Sequence, residues 1–331
     1  MRLTQFLQTT LNPAWYHGHE RKAPFFEGWY YKIVDASGQN RFAIIPGVFL
    51  SQNPHAFIQV LDGRSGAAYY HEYKQSCFWA ARDRFEVHIG ANRFYQTQLH
   101  LYIERPTQTI EGELQFHGTT PWPVSWQAPG VMGWYAWVPT MECYHGVLSL
   151  DHAISGALIV DGERIDFSGG RGYMEKDWGQ SFPSAWVWLQ SNHFETPGTS
   201  LTGSIAVIPW RRSSFRGFTV GLWHEGQLYR FATYTGATTA SLTVTDEQVQ
   251  WALRDKRHQL QIVAQRGAQS DFGLLKGPDT MEMGKRVAES LTAVLHVQLA
   301  DISGGQERLL FEGSGRCAGL EVHNAADLTS F

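Results

Sequence analysis

The feature that most limits what this chain can fold into is a recurrence of short segments of alternating polarity, roughly ten residues apart, with turn residues between them. In Phe25–Asp35, Trp29, Tyr31 and Ile33 fall on one side of an extended chain, and Tyr30, Lys32 and Val34 on the other. The turn-rich Ala36–Asn40 and a returning Arg41–Leu50 complete a hairpin. Ala56–Leu61, Ala67–Cys77, Arg84–Ile89, Gln96–Ile103 and Ile110–His117 repeat the pattern, which resumes from Gly146 onward. Helical periodicity is sparse, and Met281–Ser290 is its best instance. Evenly spaced strands without intervening helices predict an all-β sandwich or barrel rather than βαβ units. The Pro-, Trp- and Gly-rich stretch Pro121–Pro139 interrupts the rhythm and reads as a connection between domains. In a chain of 331 residues it predicts two β domains, 1–140 and 141–331.

One stretch carries more than rhythm. Gly169–Asn192 reads GGRGYMEKDWGQSFPSAWVWLQSN. If it is extended, Tyr173, Glu175 and Asp177 share a face and Lys176 points away. After the proline turn, Trp186, Trp188, Gln190 and Asn192 alternate with Ala185, Val187, Leu189 and Ser191. Two indoles beside two amides are unusual in an apolar core, because buried amides need partners. The expectation is a pocket with the carboxylates on one wall and the indoles on another. An aromatic strand with an acid and a lysine opens each half, in Phe26–Lys32 and Gly170–Lys176, which hints at a duplicated β unit.

Composition narrows the function classes. The formal net charge of −4 offers no basic field for nucleic acid. Three separated cysteines, Cys77, Cys143 and Cys317, form neither a CxxC pair nor a disulfide framework, which favours a reducing compartment. The N-terminal residues hold no apolar signal-peptide core, and no uninterrupted apolar run is long enough to span a bilayer. The expectation is a cytoplasmic protein, with any membrane contact peripheral and serving substrate access. A metal reading would rest on His17-Gly18-His19, but no HxxEH, HExxH or CxxC spacing occurs, nor does GxGxxG or GxxxxGK[ST], so no metal or other cofactor is expected.

The words FFEGWYYKIVD, HAFIQVLDG and GYMEKDWGQSFPSAWVWLQSNHF, with RCAGLEV near the end, resemble the tocopherol cyclase family over most of the chain. More distantly, GYMEKDWG is similar to the Trp-x-Asp-x-x-Trp-Gly word of the lipocalin-like carotenoid hydratase and AttH group. Tyr173 stands at the Trp of that word and Glu175 at its acid, while Asp177 is an added acid. The resemblance implies two lipocalin-like antiparallel β-barrels side by side. It also implies a cofactor-independent enzyme that closes a chroman ring on a prenylated phenol or quinol.

Such a reaction protonates a prenyl double bond and lets the phenol oxygen capture the tertiary cation. The donor must be an acid kept protonated in a dry site, and burial or a second carboxylate serves that end. Glu175 and Asp177 are the candidates, and the residues leave open which of them donates. Trp29, Tyr31, Trp134, Trp178, Trp186 and Trp188 could shield the cation, at about 0.5–2 kcal/mol per contact. Glu27, Gln59, His152, Asn192 and His193 could accept the phenol proton or a hydrogen bond. The proposed substrate-binding set is therefore Tyr173, Trp178, Trp186, Trp188, Gln190, Asn192, Trp29, Tyr31, Glu27 and Gln59, around a hydrophobic prenylated small molecule. The bland alternative pairs the acids with Arg171 and places the aromatics in the core. A lipocalin-type carrier of an isoprenoid, or a hydratase or isomerase of an isoprenoid double bond, are the competing functions.

Overall fold

The computed structural model describes residues 3–329. Strand makes up 61% of it, and the only α-helices among the described residues are α1 (Leu3–Leu11) and α2 (Ala325–Thr329). The chain divides into two compact units, Met1–Phe182 with Leu274–Arg286, and Pro183–Gly273 with Val287–Phe331. No helix among the described residues is long and apolar enough to cross a membrane.

The first unit holds β1 (Phe25–Val34), β2 (Arg41–Leu50), β3 (His55–Asp62), β4 (Ala68–Lys74), β5 (Phe78–Ala80) and β6 (Glu86–Ile89). It continues with β7 (Asn92–Tyr95), β8 (Gln98–Arg105), β9 (Gln108–His117), β10 (Cys143–Val160), β11 (Glu163–Asp166) and β12 (Arg171–Gly179). These form one sheet ordered β4-β3-β2-β1-β12-β10-β9-β8-β7-β6-β5, with β11 on β10. The lipocalin-like architecture expected above is present, but the sheet is open: its hydrogen-bonding path ends at β4 and β5 instead of closing into a barrel.

A boundary at residue 140 does not describe this unit. β10 and β12 pair with β9 and β1 in the middle of the first sheet, so a cut there would split its ladder. Pro121–Pro139 is a connection inside the unit. The two halves of the sequence echo are sheet neighbours rather than equivalent strands of two repeats, with Tyr30 opposite Glu175.

The second sheet uses β13 (Trp186–Ser191), β14 (Ser200–Trp210), β15 (Ser213–His224), β16 (Gln227–Ala232), β17 (Thr238–Val244) and β18 (Gln248–Arg254). β19 (His258–Gln265), β20 (Phe272–Asp279), β21 (Glu282–Asp301) and β22 (Arg308–His323) follow. Its order is β16-β15-β14-β13-β22-β21-β19-β18-β17, with β20 on β21. Ala185, Val187 and Leu189 enter a core with Leu222, Trp251, Leu295 and Leu320. The helix anticipated at Met281–Ser290 is instead the start of β21, whose later residues Leu291, Ala293, Leu295 and Val297 are buried at every second position. That period is a strand's.

Peripheral and central strands differ in a way that positions the site. In β8, Leu99, Leu101 and Ile103 are buried while His100, Tyr102 and Glu104 are exposed. β12 lies between β1 and β10, and all its residues except Arg171 and Asp177 are buried. Its charged side chains must therefore find partners inside the protein.

Candidate active site

Antiparallel register assigns each residue of β12 to a face. Glu175 lies opposite Tyr30 of β1 and Val147 of β10, and Asp177 lies opposite Gly28 and His145. Directly paired residues share a face, so Tyr173, Glu175 and Asp177 stand together as expected, joined by Tyr30, His145 and the buried Lys32, which lies opposite Tyr173. The Tyr173 hydroxyl donates a hydrogen bond to Glu175 Oε2. His145 lies between the carboxylates, with Nδ1 2.8 Å from Asp177 Oδ1 and Nε2 3.6 Å from Glu175 Oε2. Side-chain exposure rises from 6% at Glu175 to 19% at His145 and 29% at Asp177, so the cluster opens to solvent at its Asp177 end.

Burial by itself would lower the His145 pKa. Glu175, Asp177 and the Asp177 hydrogen bond outweigh it and hold the imidazole up at about 9. At neutral pH His145 is therefore protonated. Arg171 does not provide the bland ion pair, because its Nε and a second nitrogen grip Asp151 bidentately, the first at 2.8 Å. An apolar wall adjoins the cluster. Gly28 and Gly47 follow Asp177 across the sheet, and the Phe57 ring fills the place of a Gly47 side chain, whose Cβ would come within 2.4 Å of it. Phe57 belongs to a cluster with Phe26 and Phe49, flanked by Ile45, Tyr70 and Met283.

Glu27, Trp29, Tyr31 and Trp178 are not on this wall, which corrects the expected pocket. Trp178 pairs with Glu27, Lys176 with Trp29 and Met174 with Tyr31, so all of them occupy the opposite face. Alternation tells which residues of one strand share a side, but only register tells which sides of two strands coincide. On that reverse face Lys176 Nζ meets Glu27 Oε1 and the Trp15 carbonyl, and lies 4.8 Å and 4.9 Å from the Trp29 and Trp178 ring centres. The His17 backbone N–H donates to both Glu27 oxygens at 3.1 and 2.9 Å, and its ring stacks on Trp178 at 4.2 Å. Burial would raise the Glu27 pKa, yet Lys176 and His17 bring it below the usual carboxylate value. Burial takes Lys176 down to about 8, and burial together with Lys176 takes His17 down to about 4. Tyr31 donates its hydroxyl to the Tyr95 carbonyl at 2.9 Å.

Gln59 does lie on the Glu175 side, through its pairing with Ile45. Both of its amide atoms are taken by the Lys276 backbone, each at 2.8 Å, so it fastens the returning segment 274–286 to the first unit. His152, one of the candidate bases, sits on the reverse face, where burial lowers its pKa to about 3.

Trp186, Trp188, Gln190 and Asn192 belong to the second unit. The first three point away from the Val187–Leu189 core side, as alternation predicts, and all are buried. Trp186 Nε1 donates to Glu321 Oε2 at 2.6 Å and its ring stacks on His323. Gln190 is fully buried, and neither of its amide atoms has a hydrogen-bond partner among the described residues. Asn192 Oδ1 lies 3.1 Å from His193 Nδ1.

The sequence model of the tocopherol cyclase-like family matches residues 96–324. The chain belongs to the tocopherol cyclase-like family. It is 28% identical over 205 residues to the chloroplastic tocopherol cyclase of Zea mays, covering 57% of this chain but only 41% of the maize protein. It is 23% identical over 372 residues to the Oryza sativa subsp. japonica protein named “Probable tocopherol cyclase, chloroplastic”, covering 93% of this chain and 77% of that one. The solved structure of CghA with Sch210972 shares the fold, with a TM-score of 0.53 at 11% identity over 91% of this chain and 88% of that chain. In this tocopherol cyclase-like chain the family match contains His145, Glu175 and Asp177, whereas Glu27, Trp29 and Tyr31 precede it.

Sequence reasoning missed His145 and Tyr30. Nothing distinguishes His145 among 14 histidines until β10 pairs with β12. The donor atoms of His145, Glu175 and Asp177 lie within 4.8 Å of one another, a set that could also ligate a divalent cation. Such a cation would have to displace the proton that His145 holds.

Proposed function

We propose that this protein is a cofactor-independent cyclase of a prenylated phenol or quinol, with the Asp177–His145–Glu175 cluster supplying and recovering the proton. The observation that carries the reading is His145 held cationic between two carboxylates, one of them buried, beside an apolar wall. Membership of the tocopherol cyclase-like family supports it, as does the similarity to the maize and rice proteins.

Asp177 fixes the imidazole through Nδ1, leaving Nε2 directed at Glu175. The gap of 3.6 Å is longer than a hydrogen bond, and such contacts commonly tighten once substrate is bound. Seating an apolar substrate removes water, which favours the neutral pair of imidazole and carboxylic acid over the ion pair. Glu175 then protonates the less substituted carbon of a trisubstituted double bond. The tertiary cation is captured by the phenol oxygen, and the phenol proton returns to the cluster. No atom is gained or lost, so the net change is an isomerisation.

The test is single-turnover conversion of a prenylated hydroquinone, with affinity measured in parallel. Glu175→Gln should slow the reaction by about 10²–10⁴-fold while binding persists, and His145→Asn should behave alike. In heavy water the product should carry one carbon-bound deuterium from solvent. The rate should hold below about pH 9 and fall above it, as His145 loses its proton. Wild-type rates in Glu175→Gln, Asp177→Asn and His145→Asn would sink the assignment. A hydrated product would indicate a double-bond hydratase, and binding without conversion by the wild type would indicate a carrier. Loss of activity on chelation would favour the cation reading of the same three donors.

A further inference from the structure

A cavity of about 590 Å³ opens in the first unit on the side away from His145 and Glu175. Two of its lining residues, Val48 and Leu50, pair with Glu27 and Phe25 and so share their face, the reverse of the sheet. The N-terminal arm contributes Tyr16, His19 and Arg21, and the edge around β5 contributes Phe78, Trp79 and Arg82. Its size falls within the range of about 300–1,000 Å³ typical of small-molecule pockets.

The lining has a one-sided charge. Arg21 and Arg82 line it, and no Asp or Glu does. Among the described residues neither guanidinium has an ion-pair partner, and Arg21 Nε is buried without a hydrogen-bond partner. The acids that follow β5 in sequence, Asp83 and Glu86, are engaged by Arg84. A guanidinium is permanently charged and its planar fork matches carboxylate and phosphate oxygens. Around these two arginines the walls are apolar: Leu50, Phe78 and Trp79, a residue 48% exposed.

We propose that this cavity is a second ligand site, which binds a free anionic amphiphile. A carboxylate or phosphate monoester head would be held by Arg21 and Arg82, with an apolar chain against Leu50, Phe78 and Trp79. A neutral prenylated quinol offers no formal charge to these arginines, so the site is separate from the proposed cyclase centre.

Calorimetric titration of the full chain with monomeric dodecanoate and dodecyl phosphate tests this, with dodecanol and dodecyltrimethylammonium as controls. Both anions should bind in a salt-sensitive manner, and the two controls at least about tenfold more weakly. Arg82→Gln, at an exposed position where folding is safe, should weaken anion binding about tenfold, the loss expected for one charge-assisted hydrogen bond. Arg21→Gln should do the same, with its circular dichroism unchanged. Glu175→Gln should bind dodecanoate as the wild type does, which separates this site from the cyclase reading. Equal affinity for dodecanol, wild-type binding in both arginine variants, or weakening by Glu175→Gln would each overturn the proposal. So would co-sedimentation with phosphatidylglycerol vesicles in the absence of monomer binding.

Discussion

Strand β12 carries charge on both of its faces, and the faces treat it differently. On the reverse face Lys176 and Glu27 are wholly buried and joined to each other, and His17 and the Trp15 carbonyl complete the set. On the other face two carboxylates flank one imidazole, and exposure increases toward Asp177. The first arrangement has matched charges and no outlet, which suits holding the arm against the sheet. The second has a proton that several groups can hold and a route to the outside, which suits chemistry. Residue types alone would not separate them, since carboxylates and a histidine occur on both sides.

The largest expected effect is on the reverse face. Lys176→Met leaves Glu27 buried without its cation and should cost about 3–5 kcal/mol in urea unfolding. A loss below about 1 kcal/mol would break the contrast, because the pair would then be no structural anchor. Next, Gln59→Ala removes both hydrogen bonds to Lys276 and should cost about 1–3 kcal/mol. Hydrogen exchange should accelerate chiefly in 274–286, and uniform acceleration would show that Gln59 does not fasten that segment specifically.

On the Glu175 face the stability change should be small. Glu175→Gln keeps an acceptor for the Tyr173 hydroxyl but removes one of the two charges that hold His145 cationic, so unfolding should change by clearly less than in Lys176→Met even as turnover collapses. A change as large as that of Lys176→Met would make both faces structural. The pH dependence of stability should have opposite limbs. His145 is raised to about 9 in the folded protein, above about 6.5 unfolded, so its stabilisation is present below pH 6.5 and lost as pH rises through 9. His17 is lowered to about 4, so the unfolded chain takes up its proton first and stability falls as pH drops from about 6.5 toward 4. His145→Asn should flatten only the alkaline limb, as read from urea midpoints across pH.

Much of the candidate site was legible because it lies within single strands. Tyr173, Glu175 and Asp177 share a face, Lys176 points away from them, and Val187 and Leu189 face a core while Trp186 and Trp188 do not. Family words were equally visible, since GYMEKDWG is contiguous. The misreadings concern relations between segments. Trp29 and Tyr31 lie on the side of the sheet away from Glu175, and Tyr30 between them is the residue that faces it. Residue 140 is no boundary, because β10 pairs with strands both earlier and later in the chain.

By itself, then, the sequence determined an all-β chain of the tocopherol cyclase-like family and the three residues of β12 that stand together. Period-two alternation and a contiguous motif are local properties, complete within a few residues. The tertiary structure alone decided that His145 joins Glu175 and Asp177, that Glu27 and Lys176 close the opposite face, and that the arm leaves Arg21 over an open cavity. Each depends on the register between distant strands, where a shift of one residue exchanges every side chain between the two faces.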